Sequence, residues 1–146
     1  MIAQTAEYAL RAMVILSRDP AVPQTTQALS TATRVPVPYL HKVLRRLADA
    51  GLLQIVRGRH GGFVLARSPA SLHLLDVVDA VAPIEGIAHC PLGLRGHAHD
   101  LCPLHQRLDR AIRNLREEYR ATTLAEIAAP HAGIMPLCDD SFAGPV

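Results

Sequence analysis

Three observations predict a mainly α fold carrying one β-hairpin. Apolar residues recur at helical spacing in four stretches of the 146-residue chain. A single pair of β-prone runs brackets a turn rich in glycine and arginine, Arg57-Gly58-Arg59-His60-Gly61-Gly62. The last helical stretch is long and polar, with one narrow apolar stripe. The apolar fraction of 49% is enough for a globular core, and charged residues at 19% argue against global disorder. The length suits one domain, or a small domain with an appendage.

Taken in order, Ala3 to Arg18 reads as a helix, with Ala6, Leu10, Met13, Val14 and Ile15 on or near one face. Asp19-Pro20-Ala21-Val22-Pro23 breaks it. Thr25 or Thr26 can cap a short second helix to about Thr31. Arg34-Val35-Pro36-Val37-Pro38 is a stiff turn, because each proline fixes its own φ and restricts the residue before it. Pro38 suits the first turn of a third helix, where a missing N–H costs nothing. That helix runs from Tyr39 to about Ala50, with Leu40, Val43, Leu44 and Leu47 as its stripe and Gly51 as its stop. The hairpin follows over Leu52 to Leu65. Ser71 to Val81 reads as a fourth helix with Leu72, Leu75, Val78 and Val81 inward, ended by Pro83 and Gly86. A fifth runs from Pro103 to Tyr119 or Arg120, and Thr123-x-x-Glu126 is a capping box for one more short turn. Helix, short helix, turn, helix and hairpin make a winged helix-turn-helix.

Charge agrees with that fold. From Arg34 to Arg67 there are seven basic residues against the single acid Asp49, a segment of +6. Residues 1–33 sum to zero and residues 68–146 to −4. A basic centre with an acidic remainder is the electrostatic footprint of a nucleic-acid binder. Double-stranded DNA is therefore the expected partner. The third helix supplies Pro38, Tyr39, His41, Lys42 and Arg45 toward the major groove, where Arg and Lys donate to guanine O6 and N7. Arg46 is expected at phosphate. Arg57 and Arg59 flank Gly58 at the wing tip, suited to a narrow minor groove or the backbone. Leu104, Leu108, Ile112, Leu115 and Tyr119 form the narrow stripe of the fifth helix, which suggests pairing with its own copy in a homodimer.

Cys90, His97, Cys102 and His105 fall in one Gly- and His-rich stretch. Thiolate and imidazole hold zinc and iron–sulfur centres. Two cysteines and two histidines would also suit zinc, and Cys90 with Cys102 could serve as a thiol switch without metal. His99 and Asp100 rank behind as ligands, and Cys138 stands in the tail. No Gly-rich phosphate loop, His-Glu-x-x-His or nucleophile elbow occurs, so an enzyme is not expected. No apolar run spans a membrane, and the first residues lack the basic start and cleavage site of a signal peptide, which places the chain in the cytoplasm.

Four pieces in order carry a family resemblance: Glu7-Tyr8-Ala9-Leu10-Arg11-Ala12-Met13, Val37-Pro38-Tyr39-Leu40-His41-Lys42-Val43-Leu44-Arg45-Arg46-Leu47, Val56 to Leu65 in the wing, and Cys102-Pro103-Leu104-His105. Together they resemble the BadM/Rrf-two family of bacterial winged-helix regulators, from Met1 to about Ala129. The resemblance implies a homodimeric regulator, expected to repress, bound to a palindromic operator. Some branches carry an iron–sulfur cluster that senses redox state, nitric oxide or iron; others carry none. The cluster branches hold three cysteines in this loop. Cys90 matches the first and Cys102 the last, while Gly96 or His97 takes the middle place. The resemblance makes Cys90, His97 and Cys102 ligands, with Glu7 from the other subunit or His105 as the fourth. Such a set suits a two-iron cluster better than a four-iron one, with zinc as the alternative. The expected organisation is a DNA-binding domain over 1–82, a Cys/His sensor loop over 83–102, a dimerisation helix and short terminal helix over 103–129, and a flexible tail over 130–146.

Overall fold

The computed structural model describes residues 2–94, 96 and 100–137. Among them, helix α1 covers Gln4–Arg18, α2 Thr26–Thr33 and α3 Val37–Asp49; strands β1 and β2 cover Leu53–Val56 and Gly62–Leu65; and α4, α5 and α6 cover Leu74–Val81, Pro103–Ala121 and Leu124–Ala128. The mainly α winged helix-turn-helix read from the sequence is the fold found.

Local chemistry sets the boundaries. Thr25 caps α2, its Oγ1 accepting from the Ala28 N–H at 3.1 Å. Arg34 closes α2 in the left-handed region at φ 56°. Pro36 then caps α3 and Pro38 sits in its first turn, so the stiff turn delivers the chain into α3 at a fixed angle. Gly51, at φ 74°, ends α3 where a side chain would be strained. The hairpin pairs Leu53 with Leu65 and Val56 with Gly62. Gln24 adds a short third edge to it, exchanging both backbone hydrogen bonds with Phe63 at 3.0 and 2.9 Å. Gly62 permits that approach: a Cβ there would lie 2.5 Å from the Gln24 carbonyl oxygen.

One start differs from the sequence reading. Residues Pro69–Ser71 form a single 3-10 turn, and α4 begins only at Leu74. Leu72 is extended because its carbonyl accepts from the Leu124 N–H at 2.8 Å, while the Leu74 N–H donates to Thr122 at 3.0 Å. These long-range bonds win over local helix propensity. The Thr123 capping box forms as read, with Glu126 accepting from the Thr123 N–H at 2.8 Å. Past α6, His131 and Ile134 bridge across a turn, and Arg18 donates to the Pro136 carbonyl.

α1 lies at the centre and touches α2, α3, α4, α6 and β2. Met13, Leu16, Leu29, Leu40, Leu44 and Leu47 are fully buried around it. Leu44→Ala should lower the stability by about 2–5 kcal/mol, the usual cost of a buried leucine cavity. Urea unfolding checks this; an unchanged midpoint would mean that α3 is not held by this core.

Candidate nucleic-acid interface and sensor loop

α3 splits into two faces. Leu40, Val43, Leu44 and Leu47 are buried, and this leaves Pro38, Tyr39, His41, Lys42, Arg45 and Arg46 exposed on the outer side. Tyr39 is 62% exposed. Arg45 pairs loosely with Asp49 at 3.4 Å, both about two-thirds exposed, an ion pair of little strength that a phosphate or base can displace. Arg46 is held, its Nη1 donating to the Val81 carbonyl at the end of α4 at 3.0 Å. Arg57 and Arg59 are exposed at the wing tip around Gly58, whose φ of 111° only glycine adopts readily. The Gln24–Phe63 pairing steadies the base of that wing.

The segment after α4 is strapped to α5 by two groups that the sequence reading did not single out. Arg116 of α5 donates through Nη1 and Nη2 to both Asp79 oxygens at 2.9 and 3.0 Å, and to the Ile84 carbonyl at 2.8 Å. The carboxylate holds the Arg116 guanidinium charged beyond its ordinary range. Asp109 is 4% exposed and accepts from the Ile87 N–H at 2.9 Å and from Arg113 Nε at 2.7 Å. The Arg113 hydrogen bond, then the Ile87 N–H, hold its carboxyl below the ordinary carboxylate range.

Of the proposed ligands, Cys102 and His105 stand together. Cys102 caps α5, and its Sγ lies 3.3 Å from His105 Nδ1, one helical turn along. Cys90 and Cys102 are half-buried and neither forms a disulfide. Glu7 accepts from Arg11 Nε at 3.0 Å, and Arg11 also reaches the Thr33 carbonyl at 3.3 Å. His97, His99 and Cys138 lie outside the described residues. Among the described residues of one chain, no three His, Cys, Asp or Glu side chains converge on a metal position. The donor types fit a soft metal.

A basic recognition helix, an arginine-tipped wing and a strapped C-terminal helix define a winged helix-turn-helix transcriptional regulator. Residues 2–130 match the Rrf2 model, described as an iron-dependent transcriptional regulator, and the chain belongs to the Rrf2 family. It is 32% identical over 128 residues to an HTH-type transcriptional regulator of Mycobacterium tuberculosis, covering 84% of this chain and 78% of that one. It is 24% identical over 132 residues to another of Aquifex aeolicus, covering 87% and 90%. Among solved structures it resembles CymR, described as the global cysteine regulator of B. subtilis, with a TM-score of 0.74 and 24% identity over 88% of this chain and 95% of that one. T. potens IscR gives a TM-score of 0.72 and 23% identity, covering 87% and 85%. At such identities the structures speak for the fold. The relatives are regulators rather than enzymes, and DNA binding follows from the family. Among the described residues no helix is long and apolar enough to cross a membrane.

The lowered Asp109 pKa gives a pH signature. A depressed folded-state value contributes stability above the ordinary carboxylate pKa of about 4, lost as pH falls through the folded value. The stability difference between wild type and Asp109→Asn should therefore be full at neutral pH and shrink in acid below the ordinary carboxylate range. Thermal melts across pH check this; equal stability at neutral pH would remove Asp109 as the anchor of the strap.

Proposed function

We propose that the chain is a homodimeric repressor of a palindromic operator whose DNA affinity is set by a soft-metal centre at the head of α5. Cys90, His97 and Cys102 are assigned as ligands, with His105 or the carboxylate of Glu7 from a partner subunit as the fourth. The observation that carries this reading is the Cys102–His105 pair, 3.3 Å apart where the α4–α5 segment meets the dimer helix. A two-iron iron–sulfur cluster is favoured over a four-iron one, since two thiolates and an imidazole are few donors for the latter. When bound, it supplies sensitivity to redox state, nitric oxide or iron.

The chain's own residues do the rest. Leu104 and Leu108 are 62% and 46% exposed on α5, with Ile112 and Leu115 half-buried further along the same stripe. Such an uncovered stripe supports pairing with the same helix of a second copy. Asp109 and Arg116 fasten the segment leaving α4 to this helix, so Cys90 stands on an arm already tied at its base. Drawing Cys90 toward Cys102 alters that arm, and with it the spacing of two recognition helices against two fixed half-sites. Residues 1–82 then read DNA, 83–102 sense and 103–129 dimerise.

A second reading needs no metal. Cys90 and Cys102, both half-buried and free of a disulfide, would then act as a thiol switch, and solved structures similar in fold include an oxidised form of Staphylococcus aureus CymR. Zinc on the same donors is the third outcome.

An anaerobic visible spectrum with iron, sulfide and zinc assays separates these. Broad visible absorbance with equal iron and sulfide is expected. A colourless protein with one zinc per chain would replace the cluster, and neither metal after reconstitution would leave the thiol switch. At the wing, Arg59→Ala should weaken operator binding by about 1–3 kcal/mol if the arginine reads a base or groove, and mainly reduce the salt slope if it meets phosphate. Affinity unchanged across salt concentrations would remove Arg59 from the interface.

A further inference from the structure

A cavity of about 200 Å³ opens between the first turns of α1 and the outer face of α3. Its α1 wall is Gln4, Thr5 and Tyr8; its α3 wall is Tyr39, Lys42 and Arg46 over an apolar floor at Val43. No acid lines it. The one acid of α1, Glu7, is engaged by Arg11 at 3.0 Å, and the one acid of α3, Asp49, faces Arg45 at 3.4 Å. The cleft therefore carries two positive charges among neutral donors. Arg46 is fixed by the Val81 carbonyl. The hydroxyls of Thr5, Tyr8 and Tyr39 and the ammonium of Lys42 make no hydrogen bond to another described residue, so they are available to a ligand. Phenol, hydroxyl and ammonium donors around a cationic notch suit an oxyanion.

We infer that this cleft seats one phosphodiester group of the DNA strand bordering the groove that α3 enters. The inference rests on the DNA-reading assignment of α3 and extends the interface to α1, which composition and periodicity presented only as a core helix. The volume suits a phosphate and its ester oxygens but not a nucleotide with its base. Tyr39 and Lys42 sit on the same face of α3 one turn apart, so a phosphate held there fixes how far along the groove His41 and Arg45 come to lie. The contact carries no sequence information; it sets register.

The test uses the full chain labelled with 3-fluorotyrosine. The sequence has three tyrosines: Tyr8 and Tyr39 flank the cleft, and Tyr119 lies near the end of α5 as an internal control. Titration with a mixed-sequence duplex at low salt should shift the fluorine signals of Tyr8 and Tyr39 and leave Tyr119 in place. Thr5→Glu, which puts a carboxylate in the cleft, should lower duplex affinity about tenfold and reduce the salt slope by about one per cleft, and Thr5→Val, which removes only a neutral donor, should lower affinity less and leave the slope unchanged. An unchanged melting temperature and Tyr119 signal would show that each variant is folded. Movement of Tyr39 without Tyr8, with Thr5→Glu binding as wild type, overturns the cleft while leaving DNA reading by α3 intact. No movement and no duplex binding overturns both. A Tyr8 shift with inorganic phosphate or glycerol 3-phosphate but not with duplex also overturns the inference, and makes the cleft a site for a small free anion.

Discussion

Burial of α1 is the constraint on which the rest of the molecule depends. Its inner face is built from alanines 6, 9 and 12 with Met13, Ile15 and Leu16, all nearly or fully inaccessible. Small side chains over the first two turns let neighbouring backbones come close, and the larger ones beyond fill the space between α3, α4 and α6. The recognition helix is positioned because its own stripe, Leu40, Val43, Leu44 and Leu47, must cover that face. Having committed those four positions, α3 can present only its outer residues to a ligand. The exposure of Tyr39, Lys42 and Arg45 is thus the geometric complement of apolar burial, with no separate device needed to expose them.

Apolar burial fixes which face turns inward but tolerates sliding and rotation of a few degrees. Directional bonds remove that freedom. Arg46 joins α3 to the last carbonyl of α4, Arg116 joins α4 and Ile84 to α5, and Asp109 holds the Ile87 N–H. Each of the three pairs a charged group with a backbone group at a helix end or in a loop. Backbone groups there have no partner from regular structure, so a side chain that reaches them satisfies a real vacancy. Glu7, Arg11 and the Thr33 carbonyl do the same between α1 and the end of α2.

Much of this was legible in the sequence, and the parts that were not share a cause. Periodicity found four of the helices, the Thr25 cap and the Thr123–Glu126 box marked the two short ones, and the glycine-rich turn marked the hairpin. These features are local. The start of α4 was misread because Leu72 and Leu74 spend their backbone bonds on residues some fifty positions later in the chain. The tie from Arg46 to the Val81 carbonyl was hidden because it spans 35 residues. Asp109 was one acid among many on a polar helix, and nothing in its neighbours reveals that it alone is buried there. At the loop, Cys102 and His105 come within 3.3 Å because three residues is about one helical turn, a relation that spacing can give. Spacing gives none for Cys90, whose distance from α5 depends on the path of an irregular segment.

That contrast bears on how a regulator of this shape can respond to a signal. The DNA-reading half is over-determined: α3 is held by a core, by a proline-stiffened turn and by Arg46. A perturbation there has to break packing before it can move a side chain. The link to α5 is different. It is pinned at Ile84 and Ile87 through polar groups of α5, and polar links are cheaper to exchange than a close-packed core. α5 in turn presents Leu104 and Leu108 outward, at the same end that carries Cys102 and His105. A change in the side chains at the head of α5 therefore reaches the exposed stripe and the strapped arm together, without crossing the hydrophobic core. In a dimer joined through that stripe, small rotations of α5 translate into displacement of recognition helices that remain internally rigid. Rigid readers on an adjustable mount are what an operator with fixed half-site spacing can discriminate.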